Sequence, residues 1–395
     1  MRLFITNYTH RSGVYGGTYR IQAITEAALQ AGHEVAIFTS KQRSGTFAPL
    51  GVTIFEGSAL QNGSALSRLG QQIMSFGTTG RLNRTPESLW DVLASGFASN
   101  DHFAALVGQQ VDAISSFRPD VVLTDIDPAA LIAADLSQLP AAYIFQSAYM
   151  GGAGAPSWRR VQQAIEHVYD RYRRAGPSPE ELYFTPSTLK IIPSIPELDS
   201  FPPGRPDAAF VGNLVLPDPV DFEPSSLIAS RRYIYVHIRQ SDISVDKMKQ
   251  VLPEVFPAGS EFTCVVYAPS LSTAHQVANV AFWPTVGIDA ILRHSEWVIC
   301  HGGMNITVRA LAAGMPVIMF PGNNFERRFQ AEHIERNGAG FMGEDDQFNV
   351  EWLNGALSYR DEIAHIAARL GESVEKFGGA PQAIREVARW ASQPA

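Results

Sequence analysis

Short runs of apolar and β-branched residues alternate along this chain with longer stretches whose apolar positions recur every three to four residues. The short runs fall at residues 3–6, 35–39, 121–125, 141–146 and 189–192, and again at 233–237, 262–267, 280–282, 297–300 and 317–320. Strand-length runs alternating with helical patterns predict βαβ units and parallel sheets. A first helix is predicted over 18–31, closed by Gly32, because a residue without Cβ suits the position after a helix end. A second helical region starts at Thr85-Pro86, a side-chain cap followed by proline at the first helical position, and runs with a break to Phe117.

Between the two series of strands the chain reads Pro202-Pro203-Gly204-Arg205-Pro206 and then Leu216-Pro217-Asp218-Pro219. Proline neither continues a helix nor donates to a sheet, so the linker is placed at 213–230. The prediction is a domain over 1–212, a second over 231–380, and a terminal amphipathic helix over 381–395 able to pack back on the first. A length of 395 residues agrees, since a single core rarely grows beyond about 250–300 residues. Open α/β sheets bind ligands at the carboxyl ends of their strands, so a ligand cleft between two such domains is expected.

Charge narrows the function. The chain carries 31 Lys and Arg against 39 Asp and Glu, a net −8, which argues against a broad basic face for nucleic acid. Only five of those cations are Lys. Cys264 and Cys300 each lie in a predicted strand and read as buried thiols, and a count of two cysteines excludes a disulfide framework and a cysteine-rich metal site. The first residues turn polar too early for a signal peptide, and no run reaches the roughly 18–20 apolar residues of a membrane span; a cytoplasmic protein is expected. A dinucleotide oxidoreductase is disfavoured: Gly13-x-x-Gly16-Gly17 lacks the fingerprint spacing, and the second strand ends Thr39-Ser40-Lys41 without an acid for ribose.

The richest segment is 297–341. A strand ends at Cys300, and His301-Gly302-Gly303 turns directly into a helix beginning near Met304, with Asn305 and Thr307 in its first turn. Glycines let backbone N–H groups approach a ligand, and a helix N-terminus offers unpaired donors at positive potential, so this is an anion site suited to a diphosphate. The stretch resembles the donor signature of the GT-B glycosyltransferases, in particular the family-1 type with antibiotic, macrolide and UDP-glucuronosyl members. His301, Gly302, Gly303, Asn305, Thr307, Ala310, Gly314, Pro316, Pro321, Glu326 and Ala331 fall in register with it, and Trp283-Pro284 followed by Ile291-Leu292-Arg293-His294 resembles the family's base-contacting segment. In the first half, Gly32-His33-Glu34-Val35 and Pro119-Asp120 through Asp125 agree.

The resemblance implies two Rossmann-like domains facing across a cleft, with a nucleotide-diphosphate sugar on the C-terminal one. His301, Gly302, Gly303, Asn305 and Thr307 would hold the diphosphate, Trp283 the base and Glu326 the sugar. Ser241 sits where a small polar phosphate contact is often found. No metal or other cofactor is implied, because the helix terminus supplies the positive charge; the partners are the donor and a small natural-product-like acceptor.

Three departures qualify this. The histidine that serves the inverting members as general base would fall near Gly16 or Gly17, leaving Asp125, Asp127 and His10 as candidate bases. Arg309 replaces a ribose-binding glutamate, and Arg327 the glutamine of an acidic-Gln pair, which suggests a donor with extra negative charge or altered ribose handling. The Gly16-Gly17 pair is also seen in retaining members, yet inversion is the better expectation. The expected function is an inverting glycosyltransferase that lacks the usual catalytic histidine and moves a sugar from a nucleotide-diphosphate donor to a small natural-product-like acceptor; a non-catalytic relative binding a ligand or partner, and a nucleotide-sugar epimerase or hydrolase, are its alternatives. An arginine-rich stretch over 158–174 leaves a lipid-phosphate acceptor open.

Overall fold

A computed structural model of the chain describes residues 1–7, 16–57, 86–97, 99–218, 232–239 and 243–393. It divides into two compact units: residues 1–193, 201–214 and 379–395, and residues 194–200 and 215–378.

The first unit is built on β1 (Arg2–Asn7), β2 (Glu34–Thr39), β3 (Thr53–Glu56), β4 (Val121–Thr124), β5 (Ala141–Ile144), β6 (Thr188–Ile192) and β7 (Ala208–Phe210). Every neighbouring pair is parallel, in the order β3-β2-β1-β4-β5-β6-β7. Apart from the added β7 this is the doubly wound dinucleotide-fold order. The central strands are buried throughout because helices cover both faces. Lys190 sits within β6 at 1% exposure; its ammonium donates to the Thr185 and Thr188 carbonyls (2.8 and 3.1 Å) and to Asp207 Oδ2 (3.0 Å), so its three protons are all met.

The second unit repeats the plan with β8 (Arg232–His237), β9 (Phe262–Tyr267), β10 (His275–Val277), β11 (Val280–Trp283), β12 (Ser295–Cys300), β13 (Val317–Met319) and β14 (Gly340–Met342). The order β10-β11-β9-β8-β12-β13-β14 is the same winding with an antiparallel edge strand, β10, added. Side-chain alternation sorts its core onto two faces. Tyr233, Tyr235, Val298 and Cys300 pack on one; Ile234, Val236, Trp297 and Ile299 pack on the other.

Some elements differ from the sequence-based expectation. The first helix runs Gly16–Gln30. The region expected to start at Thr85-Pro86 forms Leu89–Ala94 and Asn100–Phe117, because Ser88 and Ser99 each accept a backbone N–H at the helix start; Thr85 lies outside the described residues. The short strands β3, β7, β10 and β14 were not anticipated. Of the expected linker, residues 219–230 lie outside the described residues, and 215–218 belong to the second unit. Helix Gly379–Ala391 buries Ala383, Ile384 and Val387 and packs on helix Gly16–Gln30 within the first unit.

Candidate active site

In each sheet the winding reverses between two adjacent strands, β1 and β4 in the first and β8 and β12 in the second. Such switch points open the ligand crevice of a doubly wound sheet. In the second unit β8 ends in His237 and β12 in Cys300, and Gly303 caps helix Met304–Ala312. Gly302 has φ +74°, and a Cβ there would lie 3.1 Å from the Arg327 carbonyl oxygen; one on Gly303 would lie 2.6 Å from His301 Nε2. At 302 the left-handed backbone calls for glycine, and at 303 any side chain would have to displace the His301 ring.

His301 Nδ1 lies 3.0 Å from the His237 carbonyl oxygen. Nδ1 therefore carries the proton, and Nε2 lies bare against Gly303 at the head of the helix. Burial, then the charge of Arg327, lowers the His301 pKa to about 4, so the ring is neutral at pH 7. It stacks on His237 (5.8 Å), which stacks in turn on Tyr267 (5.0 Å). The His237 Nδ1 lies 2.9 Å from the Tyr235 hydroxyl, and burial followed by the neighbouring His301 holds His237 well below the usual histidine range. Arg327, at the start of helix Phe325–Arg336, comes alongside the His301-Gly302 turn. Neutral rings, a positive helix end and a guanidinium together give this turn the positive potential that suits an anion.

The remaining expected donor residues separate. Asn305 is half-buried in the first turn of helix Met304–Ala312, Glu326 in that of helix Phe325–Arg336, and Trp283 at the end of β11 opposite Tyr267. Thr307 is fully buried, with its hydroxyl 3.8 Å from Cys300 Sγ, so that hydroxyl faces the strand and not the head of the helix. Arg309 has a different task from the one expected. Its Nε meets Asp289 Oδ1 at 2.8 Å, and its Nη2 donates to Asp289 Oδ2 (3.1 Å) and the Leu216 carbonyl (2.5 Å). Asp289 Oδ2 also accepts the Asp218 N–H at 2.6 Å. A planar fork matched to a carboxylate makes a clamp on the incoming chain. Ser241 lies outside the described residues.

At the switch point of the first unit, Thr6 and Thr124 join β1 to β4 by a 2.6 Å hydroxyl contact. The chain then reads Asp125-Ile126-Asp127. Asp125 is 5% exposed, and Arg20 Nη2 donates to both of its oxygens, at 2.9 and 3.1 Å. A Cβ on Gly17 would lie 2.2 Å from Asp125 Oδ2. The carboxylate thus occupies the space where a side chain at position 17 would begin. Asp127 caps helix Pro128–Leu136: Oδ1 accepts the Ala129 N–H (3.0 Å) and Oδ2 a proton of the Gln110 amide (2.8 Å). It is 2% exposed, and burial raises its pKa to about 6. Both oxygens are engaged inside the fold, so capping displaces the base role expected for Asp127. Ile126 between them has φ +62°, a conformation costing a β-branched residue about 1–3 kcal/mol. His10 lies outside the described residues.

No family model matches the chain. A 105-residue stretch is 35% identical to a PGL/p-HBAD biosynthesis glycosyltransferase of Mycobacterium tuberculosis, covering 26% of this chain and 24% of the relative. A 100-residue stretch is 31% identical to the NDP-glycosyltransferase YjiC of Bacillus licheniformis, covering 25% of each. The chain thus matches about a quarter of the length of these curated relatives. The calicheamicin glycosyltransferase CalG4 superposes with a TM-score of 0.74 at 16% identity, over 100% of this chain and 98% of the other. The glycosyltransferase VinC, solved with dTDP, gives 0.72 at 17% identity over the whole of both.

The chain has the GT-B fold.

Within that GT-B framework, residues outside the sequence-based candidate set hold the sites together. Arg20 grips Asp125 from 105 positions away, and His237 orients His301 from 64 away; no local pattern signals either pairing. Three arginines of the arginine-rich stretch have partners within the protein: Arg171 pairs with Asp101, Arg174 with Asp135 (3.1 Å), and Arg160 donates to the Phe97 carbonyl (2.7 Å). Among the described residues, no group of three or more His, Cys, Asp or Glu is arranged to hold a metal ion, and no helix is long and apolar enough to cross a membrane.

Proposed function

We propose that the protein is a glycosyltransferase that moves a sugar from a nucleotide-diphosphate donor to a small natural-product-like acceptor, with inversion and in the cytoplasm. The observation that carries this reading is the His301-Gly302-Gly303 turn at the head of helix Met304–Ala312, with Arg327 beside it. Matched glycosyltransferase segments and the TDP complex of a protein sharing the fold support it. Asn305, Glu326 and Trp283 remain our assignments for diphosphate, sugar and base. Helix end and Arg327 supply the positive charge that the leaving diphosphate needs, so we expect turnover to survive a metal chelator.

Asp125 is our choice for the group nearest the acceptor, held by Arg20. Calorimetry with TDP and UDP, followed by product analysis with their sugars and a panel of hydroxyl and amine acceptors, tests the reading. Binding lost in His301→Ala, together with acceptor-dependent turnover in the parent, supports it. Tight binding with no turnover over a broad panel would favour a non-catalytic relative, a reading motivated by Gly17 in place of a basic side chain. Turnover without acceptor would favour an epimerase or hydrolase.

A further inference from the structure

Five non-glycine residues among those described have positive φ. Arg118, Gln138 and Arg173 follow helix ends, where the left-handed conformation is ordinary, and Ala278 sits in the turn between β10 and β11. Ile126 is unlike them. It joins a strand to a helix cap, where no left-handed residue is needed, and it is β-branched, the type that tolerates that region least.

Both sides of the turn are pinned. The Ile126 carbonyl accepts the Tyr183 hydroxyl at 2.6 Å. The next N–H, that of Asp127, donates to Thr124 Oγ1 at 3.2 Å, and the Asp127 carboxylate is tied to Ala129 and Gln110. Thr124 belongs to β4 and Asp127 to the start of a helix, so neither can follow a change at residue 126. With both of those held, a change at residue 126 is passed to Asp125. If Ile126 relaxed to negative φ, Asp125 would leave the place where it meets Arg20 and lies against Gly17. Tyr183 is itself immobile: it is fully buried, and its carbonyl accepts the Tyr143 hydroxyl at 2.5 Å.

We propose that Tyr183 and Ile126 are positioning residues, the tyrosine hydroxyl holding a strained left-handed turn whose purpose is to set the Asp125 carboxylate against Gly17 and Arg20. This rests on the glycosyl-transfer reading for its catalytic consequence but not for its geometry. Tyr183→Phe removes only the hydroxyl, and a carboxylate displaced by about 1 Å is expected to lower kcat about ten- to a hundredfold, with KM for the nucleotide sugar unchanged. In an Ile126→Asn background, where left-handed φ comes at little cost, the same Tyr183→Phe change should lower kcat several-fold less. A merely structural hydroxyl would cost the same in both backgrounds. An equal loss in both, or no loss in the first, overturns the proposal. A thermal-melting cycle of Tyr183→Phe with Asp125→Asn needs no activity: the double variant should lose less in Tm than the two single losses added together, because the first already loosens Asp125 from Arg20. Strict additivity overturns the proposal, whereas absent turnover in the parent with a non-additive cycle overturns only the glycosyl-transfer reading.

Discussion

At the switch point of the second sheet, two glycines, a neutral histidine and an arginine surround the head of a helix. At that of the first sheet, a carboxylate lies against the head of a helix and is gripped by an arginine. The two helices, Gly16–Gln30 and Met304–Ala312, both lack an acid in the first turn, so neither answers its own positive end from within. In the first unit Asp125 supplies the negative charge from across the sheet. In the second, glycine at 302 and 303 keeps the backbone at the helix head open to close approach. One topology thus serves two electrostatic purposes, and the side chain placed after the central strand decides which.

The comparison breaks most severely at its glycines. Gly303→Ala puts a methyl 2.6 Å from His301 Nε2 and should weaken nucleoside-diphosphate binding by about 2–3 kcal/mol, some thirty- to a hundredfold or more. Gly17→Ala collides with Asp125 at 2.2 Å. It should cost about 1–3 kcal/mol of stability and leave that binding intact. Calorimetry on both variants decides; equal binding losses would mean that the two ends are not separate sites.

Next in size is Arg327→Gln. Losing a half-buried guanidinium beside the helix head should lower diphosphate affinity by about 1.5–3 kcal/mol and flatten its salt dependence. Unchanged affinity would leave the anion site to the backbone alone.

Much of this was legible beforehand, for reasons that differ by region. His301-Gly302-Gly303 and the helix after it form a local signature, since strand end, turn and helix start occupy consecutive residues. The central strands were legible because apolar runs mark burial. The edge strands were not: β10 is exposed along its length, and β3 and β14 are only partly buried, so they lack that mark. Nor were the pairings at Asp125 and in the clamp, because Arg20 and Asp125, or Arg309 and Leu216, meet only after the sheets have formed. Arg309 shows the hazard. A resemblance supplied the position, but where the guanidinium turns was set by Asp289.

The two switch points also respond oppositely to pH. His301 is depressed from 6.5 to about 4 on folding, so the unfolded chain takes up its proton first as pH falls; its contribution is complete above about 6.5 and is lost towards 4. Asp127 is raised from 3.8 to about 6, so its contribution is complete below about 4 and is lost as pH rises through 6. Each limb has a slope of at most about 1.4 kcal/mol per pH unit, and in the same window they oppose each other, with His237 adding to the histidine side. Asp127→Asn should therefore steepen the rise of stability between pH 4 and 6, and His301→Gln should flatten it. Denaturant titrations at several pH values measure both slopes, and parallel changes in the two variants would contradict the assignment.

The smallest effect on nucleoside-diphosphate binding is expected from Arg309, although it stands in helix Met304–Ala312, whose head is the proposed site. Its guanidinium is 12% exposed and is matched on Asp289, itself 28% exposed, with the Leu216 carbonyl as a third partner. Arg309→Met keeps the apolar stem and removes the fork, leaving Asp289 to the Asp218 N–H. A partly exposed pair of this kind is worth about 1–3 kcal/mol to the fold, visible as a drop in melting temperature. Nucleoside-diphosphate affinity should stay within about twofold, well under the roughly 1.4 kcal/mol of a tenfold change. The reason is directional: Asp289 and Leu216 take the hydrogen bonds that a ribose hydroxyl would need, and a guanidinium has no acceptor to offer in exchange. If Arg309→Met instead weakens binding tenfold while the melting temperature holds, the clamp opens in the bound state and the arginine belongs to the donor site after all.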